Sequence, residues 1–497
     1  MDKLEWYLQK WFGYTSFKDG QRDIMEAVLA GKDVVTVLPT GTGKSLCYQL
    51  PALVQPGLTV VVSPLLSLME NQVHELKQAG QKRVAAYNSF LTFQEKHYIL
   101  NHLQSLKILY ISPESLQQSM VMKQLKRHHI SLLAVDEAHC ISQWGHEFRT
   151  DYMKIGSVRK EMGQPPCLAL TATATADVQR DIIRRLQLSD PAIFYHSVDR
   201  ANISLEVIQA GLETEKRACL LQEVSRLPIP GIVYTASRRK TETTARLIES
   251  ETDLAAAAYH GGMSQEDRNL IQQQFLAGDI DVICCTNAFG MGINKPNVRF
   301  VIHVDYPKDL ESYVQEIGRA GRDGLESCAI LLLGDKDGVI PRSIIEQEFP
   351  DSRQVREGIS FISTEDSALA AEKKLIEIGG YEEQHARFLV HYWQEWHQES
   401  GNRDVLEAAA YINEIVERRT MWKLNKLRKM EEWLWNESMC RREKLLHYFE
   451  ESTGERPQRC CDVCGLPETL PSPATPDRKR IPFNWEEQLR LLFHQEG

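Results

Sequence analysis

The stretch VVTVLPTGTGKS, residues 34–45, decides the fold of this chain, because an apolar run leads directly into a glycine turn. The run predicts a buried strand, and the Gly-Lys-Ser sequence after it is typical of a turn that opens a helix. Such a turn points backbone N–H groups at one spot, and the helix adds its positive end. A chance glycine turn is the alternative, but strand, lysine and serine together favour nucleotide binding.

We call residues 39–45 the phosphate loop. Its two glycines allow the backbone to approach a phosphate closely. Lys44 can reach the β- and γ-phosphates, and the Ser45 hydroxyl can bind Mg²⁺. The candidate phosphate-binding residues are Thr40, Gly41, Thr42, Gly43, Lys44 and Ser45.

Length and composition indicate a soluble globular protein of about three domains. The chain has 497 residues, of which 42% are hydrophobic and 25% are charged. It has no long apolar stretch, and Asp2, Lys3 and Glu5 at the start argue against a signal peptide, so we expect a cytoplasmic protein without a membrane partner. Its 11 cysteines are then expected to be thiols or metal ligands. A net charge of −10 excludes a uniformly basic surface but allows a narrow basic track for nucleic acid.

Short apolar runs alternate with longer amphipathic stretches over most of the chain. Continuous apolar strands separated by helices imply parallel sheets that are buried on both faces, so the fold class is α/β. The runs form two sets, and helical periodicity replaces them from about residue 338. The predicted domains are residues 1–200 and 201–337, a helical region 338–465, and a proline-rich linker and tail 466–497.

Asp136 and Glu137 end the apolar run LLAV. Two acids at the end of a strand lie at the carboxyl edge of the sheet, beside the phosphate loop. We assign Asp136 to Mg²⁺ and Glu137 to the attacking water. Such a pair is often structural when it stands alone, but together with the phosphate loop it indicates hydrolysis.

Arg319 and Arg322 belong to the segment QEIGRAGRDG, residues 315–324. The segment reads as the end of a helix, so the two side chains are expected on one helix face. Their planar guanidinium groups suit phosphate oxygens and the charge that develops during phosphoryl transfer. Ordinary surface arginines are the alternative.

The segment DEAHCISQWGHEFR, residues 136–149, resembles the signature of the RecQ DNA helicases of superfamily two. RNA helicases of the wider group lack its second part, residues 140–149. The resemblance implies two tandem RecA-like domains followed by a small helical zinc-binding subdomain. Further matches lie in the family's order between about residues 5 and 465: FGY at 12–14, Phe17, GQ at 20–21, SPLLSL at 63–68, TATA at 171–174, AFGMGINKP at 288–296 and the 315–324 segment.

The resemblance also implies roles for single residues. Tyr14 would stack on adenine and Gln21 would read its edge. Lys18 stands where the family usually has arginine, which weakens the second stacking contact. Arg319 and Arg322 would reach the γ-phosphate across a cleft, with Arg322 as the arginine finger.

Aromatic residues follow the acids closely. Trp144, His146, Phe148 and Arg149 match the family's aromatic-rich loop, which couples DNA binding to hydrolysis. Aromatic rings stack on bases of any sequence, and arginine adds a charged plane. On residue type alone, the alternative is that the rings belong to the core.

Residues 414–435 predict a helix that carries six basic residues and three tryptophans. The helix is either a DNA-contacting face or a solvated helix with interleaved acids, and the sequence does not separate the two. The basic residues are Arg418, Arg419, Lys423, Lys426, Arg428 and Lys429.

Four cysteines near the C-terminal end predict a tetrahedral Zn²⁺ site: Cys440, Cys460, Cys461 and Cys464. The surrounding sequence also resembles the zinc subdomain of RecQ proteins. The family normally has two residues between its second and third cysteines, whereas Cys460 and Cys461 are adjacent. Neighbouring side chains usually diverge, so Cys460 is the weakest of the four candidates.

The resemblance implies an ATP-dependent DNA helicase that moves 3′ to 5′ in recombination and repair, with ATP, Mg²⁺ and Zn²⁺ as cofactors. We expect a short form that lacks the winged-helix and C-terminal helical domains. The expected partners are single-stranded and forked DNA, with possible repair or single-strand-binding proteins, and the chain is expected to be a monomer. The alternatives are an RNA helicase and a DNA-stimulated ATPase with annealing or translocase activity but weak unwinding.

Overall fold

The structure is a computed structural model that describes residues 2–142, 149–287, 289, 295–365, 367–452 and 454–467. Two parallel sheets dominate it, in agreement with the α/β prediction. The proline-rich linker and tail lie outside the described residues from residue 468 onward, so their boundaries stay predictions. Among the described helices, none is long and apolar enough to cross a membrane.

The first sheet has seven strands in the order β3-β4-β2-β5-β6-β1-β7. The strands are β1 (Val34–Val37), β2 (Leu58–Val62), β3 (Val84–Tyr87), β4 (Ile108–Ile111), β5 (Ile130–Val135), β6 (Cys167–Thr171) and β7 (Ala192–Tyr195). The helices of this part are α1 (Lys3–Phe12), α2 (Gln21–Leu29), α3 (Leu46–Val54), α4 (Leu66–Gln78), α5 (Phe93–Asn101), α6 (Pro113–Leu116), α7 (Ser119–Leu125), α8 (Thr150–Met153), α9 (Ile155–Glu161) and α10 (Ala176–Arg185).

Both faces of this sheet are covered. In β1, Val35 and Val37 belong to one buried cluster, whereas Val34 on the opposite face belongs to another. Alternate side chains of a strand point to opposite faces, so a continuous apolar run suits a sheet between two helical layers. The polar loops after β1 and β5 are thereby confined to the carboxyl edge.

The second sheet has six strands in the order β10-β11-β9-β12-β13-β8. The strands are β8 (Ile203–Gly211), β9 (Gly231–Tyr234), β10 (Ala256–Tyr259), β11 (Val282–Cys285), β12 (Phe300–His303) and β13 (Ser327–Gly334). Its helices are α11 (Glu213–Arg226), α12 (Arg238–Glu251), α13 (Gln265–Ala277) and α14 (Leu310–Ile317). We call residues 196–202, between the last strand of the first sheet and the first strand of the second, the connector.

The C-terminal region is helical, as the sequence predicts. It contains α15 (Val339–Gln347), α16 (Ser352–Ile362), α17 (Ala368–Glu377), α18 (Glu383–Ser400), α19 (Val405–Leu434) and α20 (Arg441–Tyr448). The first part of α19 packs among the other helices, whereas Met430 and Trp433 near its end join the core of the second sheet. Cys460 and Cys461 join that same core, so the cysteine segment is packed against the second sheet.

A buried ion pair fastens the start of β1. Asp33 Oδ1 accepts hydrogen bonds from Arg159 Nη2 at 2.6 Å and from Cys167 N at 2.9 Å. Arg159 is only 5% exposed and also donates to Pro165 O at 2.9 Å. The pair therefore ties α9 and β6 to the strand that precedes the phosphate loop.

We predict that Asp33→Ala lowers the free energy of unfolding by about 3–5 kcal/mol, because it leaves the buried charge of Arg159 without its partner. Urea denaturation followed by circular dichroism measures the change. The matched control is Glu161→Ala, which breaks an exposed ion pair with Lys126 and should cost about 1 kcal/mol or less. Equal losses in the two variants would contradict the role of burial.

Candidate active site

The phosphate loop leaves β1 with two residues in the left-handed conformation. Gly41 has φ 84° and Gly43 has φ 82°, and Leu46 N donates to Gly43 O at 3.1 Å as α3 begins. A Cβ atom on Gly43 would lie 2.8 Å from Gln21 Nε2. The positive φ therefore favours glycine, because other residues rarely adopt this conformation, and the curved backbone fits a phosphate group.

The acids predicted for hydrolysis lie next to this loop. Asp136 and Glu137 are each 7% exposed, and Lys44 Nζ lies 3.9 Å from Glu137 Oε1. Burial, and next the charge of Glu137, raise the pKa of Asp136 to about 7. Two carboxylates in one buried site favour a bound cation, because positive charge relieves their repulsion. The pair and the Ser45 hydroxyl therefore fit Mg²⁺.

Glu137 is held in an unusual backbone conformation. It has φ 47°, and its N–H donates to Asp136 Oδ1 at 3.0 Å. Its Oε2 lies 3.4 Å from His139 Nδ1, which is also 2.9 Å from Thr171 Oγ1. Strain of this kind concentrates at functional sites. The contact of His139 with the end of β6 was not predicted, although the residue belongs to the DEAH signature.

The arginines approach from the second sheet. Arg319 Nε donates to Tyr234 Oη at 2.8 Å, and Tyr234 Oη donates to Phe289 O at 3.0 Å. Burial, and next the charge of Arg319, lower the pKa of Arg322 to about 9, so the side chain stays charged at neutral pH. Two cations at the same cleft favour an anionic ligand.

The prediction that both arginines lie on one helix face is wrong. Helix α14 ends at Ile317, and the arginines follow in turns. Gly321 has φ 54°, a left-handed conformation that a continuing helix does not allow. Tight packing, rather than helical spacing, brings the two side chains to the cleft.

The phosphate loop, the two acids and the two arginines line one cleft of about 610 Å³ between the two sheets, and His139 and Tyr234 hold lining residues from behind. The cleft brings together most of the residues that the sequence singled out, although their individual roles stay predictions. Its lining includes Tyr14, Lys18, Gln21, Thr40, Gly41, Gly43, Lys44, Ser45, Asp136, Glu137, Arg319 and Arg322.

The residues predicted to bind adenine brace the phosphate loop. Lys18 Nζ donates to Gly41 O at 2.8 Å, and Gln21 Nε2 donates to Thr42 O at 2.8 Å. Gln21 Oε1 accepts from Lys18 N at 2.9 Å, so both ends of this amide are engaged. Tyr14 is 58% exposed at the cleft and is open to stacking.

Of the predicted coupling loop, Trp144, His146 and Phe148 lie outside the described residues. Arg149 is described, and its Nη1 donates to Pro64 O at 3.1 Å. This bond links the end of the loop to the SPLLSL segment after β2.

The six basic residues of helix 414–435 divide into three that are buried and three that are exposed. Arg419, Lys423 and Lys426 are buried. Lys423 pairs with Glu348 and Lys426 with Glu311, and the Arg419 guanidinium lies 5.0 Å from the ring centre of Phe349. Three exposed basic residues remain on the surface of the helix: Arg418, Arg428 and Lys429.

The four cysteines form one cluster, with sulfur atoms that all lie within 4.8 Å of one another. Cys440 Sγ is 3.4 Å from Cys460 Sγ, and Cys461 Sγ is 3.5 Å from Cys464 Sγ. A zinc tetrahedron with Zn–S bonds of about 2.3 Å has S–S edges of about 3.8 Å, so the cluster fits Zn²⁺. The adjacent residues Cys460 and Cys461 both reach it.

We predict that the purified protein holds about one Zn²⁺ per chain and that Cys460→Ala lowers this content strongly, because it removes one of four ligands. Mass spectrometry of the metal content after dialysis measures it. Cys219→Ala, which changes a cysteine far along the chain from the cluster, is the control and should keep its zinc. Full zinc content in the Cys460 variant would remove that residue from the ligand set.

Three family models match the chain in the expected order. They are the DEAD/DEAH box helicase at residues 18–182, the helicase conserved C-terminal domain at 215–324 and the RecQ zinc-binding domain at 402–465. Among solved structures, the DUF1998 helicase MrfA bound to DNA has a TM-score of 0.57 at 19% identity, covering 69% of this chain and 52% of that chain. The DEAD-box helicase Mss116 bound to single-stranded RNA also has a TM-score of 0.57, at 16% identity over 78% of this chain and 88% of that one. At these identities the likeness shows the fold alone.

Two helicases found by sequence comparison are more similar to this chain than the solved structures above. The probable ATP-dependent DNA helicase RecS of Bacillus subtilis (strain 168) is 43% identical over 99% of this chain and 98% of its own length. The ATP-dependent DNA helicase RecQ of Pasteurella multocida (strain Pm70) is 41% identical over 69% of this chain. The chain spans 54% of the length of that RecQ protein. With the split cleft, the cysteine cluster and these matches, the chain belongs to the RecQ family of ATP-dependent DNA helicases.

Proposed function

We propose that the protein uses ATP hydrolysis to move 3′ to 5′ along single-stranded DNA and to unwind duplex DNA, in recombination and repair. The observation that supports this most is the divided cleft. Lys44, Asp136 and Glu137 come from the first sheet, whereas Arg319 and Arg322 come from the second. Hydrolysis at such a site depends on how closely the two domains approach each other.

The residues of the cleft have distinct tasks in this proposal. Bound ATP with Mg²⁺ supplies a phosphoryl group that is activated for transfer to water. The amides of the phosphate loop and Lys44 hold the phosphates, and Ser45 and Asp136 bind the metal. Glu137 orients the water, and its neighbour His139 restrains the carboxylate. Tyr14 stacks on the base, and Lys18 and Gln21 hold the loop in shape.

The arginines complete the site only when the domains close. Their charge compensates the negative charge that develops in the transition state, as an arginine finger does. Because Tyr234 holds Arg319 and belongs to β9, the second sheet positions this group as a rigid unit. Opening after hydrolysis would then move one domain relative to the other along the bound strand.

DNA binding is assigned to the segment that follows the acids. Residues 140–149 begin three positions after Glu137, and Arg149 contacts the loop after β2. A DNA strand bound there would therefore contact a segment that is directly connected to Asp136 and Glu137. In the proposal the protein acts as a cytoplasmic monomer on single-stranded or forked DNA, with repair or single-strand-binding proteins as candidate partners.

We predict that Lys44→Ala lowers DNA-stimulated ATP hydrolysis by at least about 100-fold, because it removes the charge that holds the β- and γ-phosphates. Phosphate release with and without single-stranded DNA measures the effect. The exposed Lys123→Ala on α7 serves as control and should match the unchanged protein. Stimulation by RNA but not by DNA would instead favour an RNA helicase.

We also predict that Trp144→Ala and Arg149→Ala reduce unwinding more than they reduce DNA-free hydrolysis, because the loop joins strand binding to the acids. A forked duplex with a fluorophore and quencher measures unwinding beside phosphate release. Arg246→Ala, an exposed change on α12, is the control. Unwinding that survives both loop changes would refute the coupling role.

Hydrolysis stimulated by DNA without any unwinding in the unchanged protein would favour the annealing or translocase alternative.

A further inference from the structure

We propose that Arg200, in the connector, is a positioning residue for the ATP cleft, and that Arg442 of the zinc-binding region holds it in place. The inference rests on the proposed function, since it names a further residue on which closure of the same cleft depends. Neither residue belongs to the groups that line the cleft.

The Arg200 side chain bridges the two halves of the site. Its Nη1 donates to Thr40 O of the phosphate loop at 3.1 Å and to Gly318 O at 3.3 Å. Its Nη2 donates to Ala320 O at 3.1 Å and to Gly321 O at 2.6 Å. One planar guanidinium group thus binds a carbonyl of the first domain and three of the second.

The carbonyls that Arg200 binds flank the two arginines of the cleft. Gly318 and Ala320 are the chain neighbours of Arg319, and Gly321 directly precedes Arg322. Holding these carbonyls fixes the backbone from which both side chains project. The main-chain position of the arginines relative to the phosphate loop is therefore set partly by Arg200.

Close packing at Gly318 supports this bridge. Thr40 Oγ1 donates to Gly318 O at 2.9 Å, and a Cβ atom on Gly318 would lie 2.0 Å from that hydroxyl. Asn202 Nδ2, also in the connector, donates to Gly321 O at 2.9 Å. The phosphate loop and the arginine turns therefore touch at the point where the connector passes.

Arg442 binds the backbone and an acidic side chain of the connector. It is 5% exposed, forms an ion pair with Asp199, and donates from Nη1 to Arg200 O at 3.1 Å. Its Nη2 donates to Ile203 O at 2.5 Å. Asp199, Arg200 and the first residue of β8 are thus all held by one buried side chain.

A second group of the same region holds the start of the connector. Glu451 Oε1 accepts from Tyr195 Oη at 2.6 Å and from Val198 N at 3.0 Å. Its other oxygen accepts from Ser197 Oγ. Arg442 and Glu451 together restrain the connector along most of its length.

The cysteine cluster fixes the element that carries Arg442. Helix α20 begins directly after Cys440, and Leu205 N of β8 donates to Cys460 O at 3.1 Å. Trp433 Nε1 donates to Arg441 O at 2.9 Å, which anchors the first turn of α20 to α19. A well-formed cysteine segment therefore places Arg442 against the connector, and through it Arg200 against the cleft.

The test compares Arg200→Ala, Arg200→Lys, Arg442→Ala and the double alanine variant, with Arg353→Ala as control, because Arg353 is exposed on α16. Three quantities are measured on the full chain: DNA-stimulated kcat and KM for ATP, affinity for a fluorescent ATP analogue, and the midpoint of thermal unfolding. Fluorescence energy transfer between labels on the two domains, with a non-hydrolysable ATP analogue, reports closure without turnover.

We expect Arg200→Ala to lower kcat by about 10- to 100-fold, as misplaced catalytic groups do, with less than about a 3-fold change in analogue affinity and reduced closure. Arg200→Lys keeps the charge but not the fork, so it should restore only part of kcat. Arg442→Ala should lower kcat by a smaller factor, and the double variant should be no slower than Arg200→Ala alone, because Arg442 acts through Arg200.

Unchanged kcat and closure in Arg200→Ala would overturn the inference, and so would losses in the two single variants that multiply in the double variant. A loss of kcat that follows the fraction of unfolded protein in both Arg200 variants would also overturn it, since a merely structural role predicts that result. If the unchanged protein shows no DNA-stimulated hydrolysis, the proposed function itself fails.

Discussion

The candidate active site depends on two groups of like charge, one from each domain, that line the same cleft. The first domain buries two carboxylates together, and the pKa of Asp136 rises to about 7. The second places the guanidinium groups of Arg319 and Arg322 at the same cleft, where burial lowers the pKa of Arg322 to about 9. A metal beside the carboxylates and phosphates beside the arginines would stabilise both clusters. In the proposed function, a bound nucleotide with its metal would therefore favour closure of the two domains.

Parallel sheets explain why these clusters meet. Helices cover both faces of each sheet, so polar loops collect at the carboxyl edges. The phosphate loop and the acid pair leave β1 and β5 at one such edge, with β6 between them. The arginines arrive on turns after α14 of the other sheet. In the proposed function, hydrolysis depends on how closely the two sheets approach each other. The connector, which Arg442 and Glu451 hold, is the segment of chain that joins them.

The burial of the basic residues in helix 414–435 shows how much of the helix charge is open to DNA. A net charge of −10 argues against a broadly basic surface, whereas a helix with six basic residues suggests a DNA-contacting face. Half of these residues are used internally: Lys423 pairs with the partly buried Glu348, Lys426 pairs with the buried Glu311, and Arg419 lies over the ring of Phe349. Buried cations need such partners, so they hold the helix to the rest of the protein rather than offer charge to DNA. The exposed remainder of the helix is a narrower basic surface than the sequence alone suggests.

The sequence by itself determined the two parallel sheets, the phosphate loop, the acid pair and the four cysteines, because each is written in a local pattern of periodicity or spacing. It was misleading for Arg319 and Arg322, where a helical pattern continued past the real end of α14 at Ile317. It was silent on Tyr234, Arg200 and Arg442, whose partners lie between about 80 and 240 positions away in the chain. Only the tertiary structure decided these contacts, because hydrogen bonds between distant segments depend on how separately folded units pack, and no local pattern records that packing.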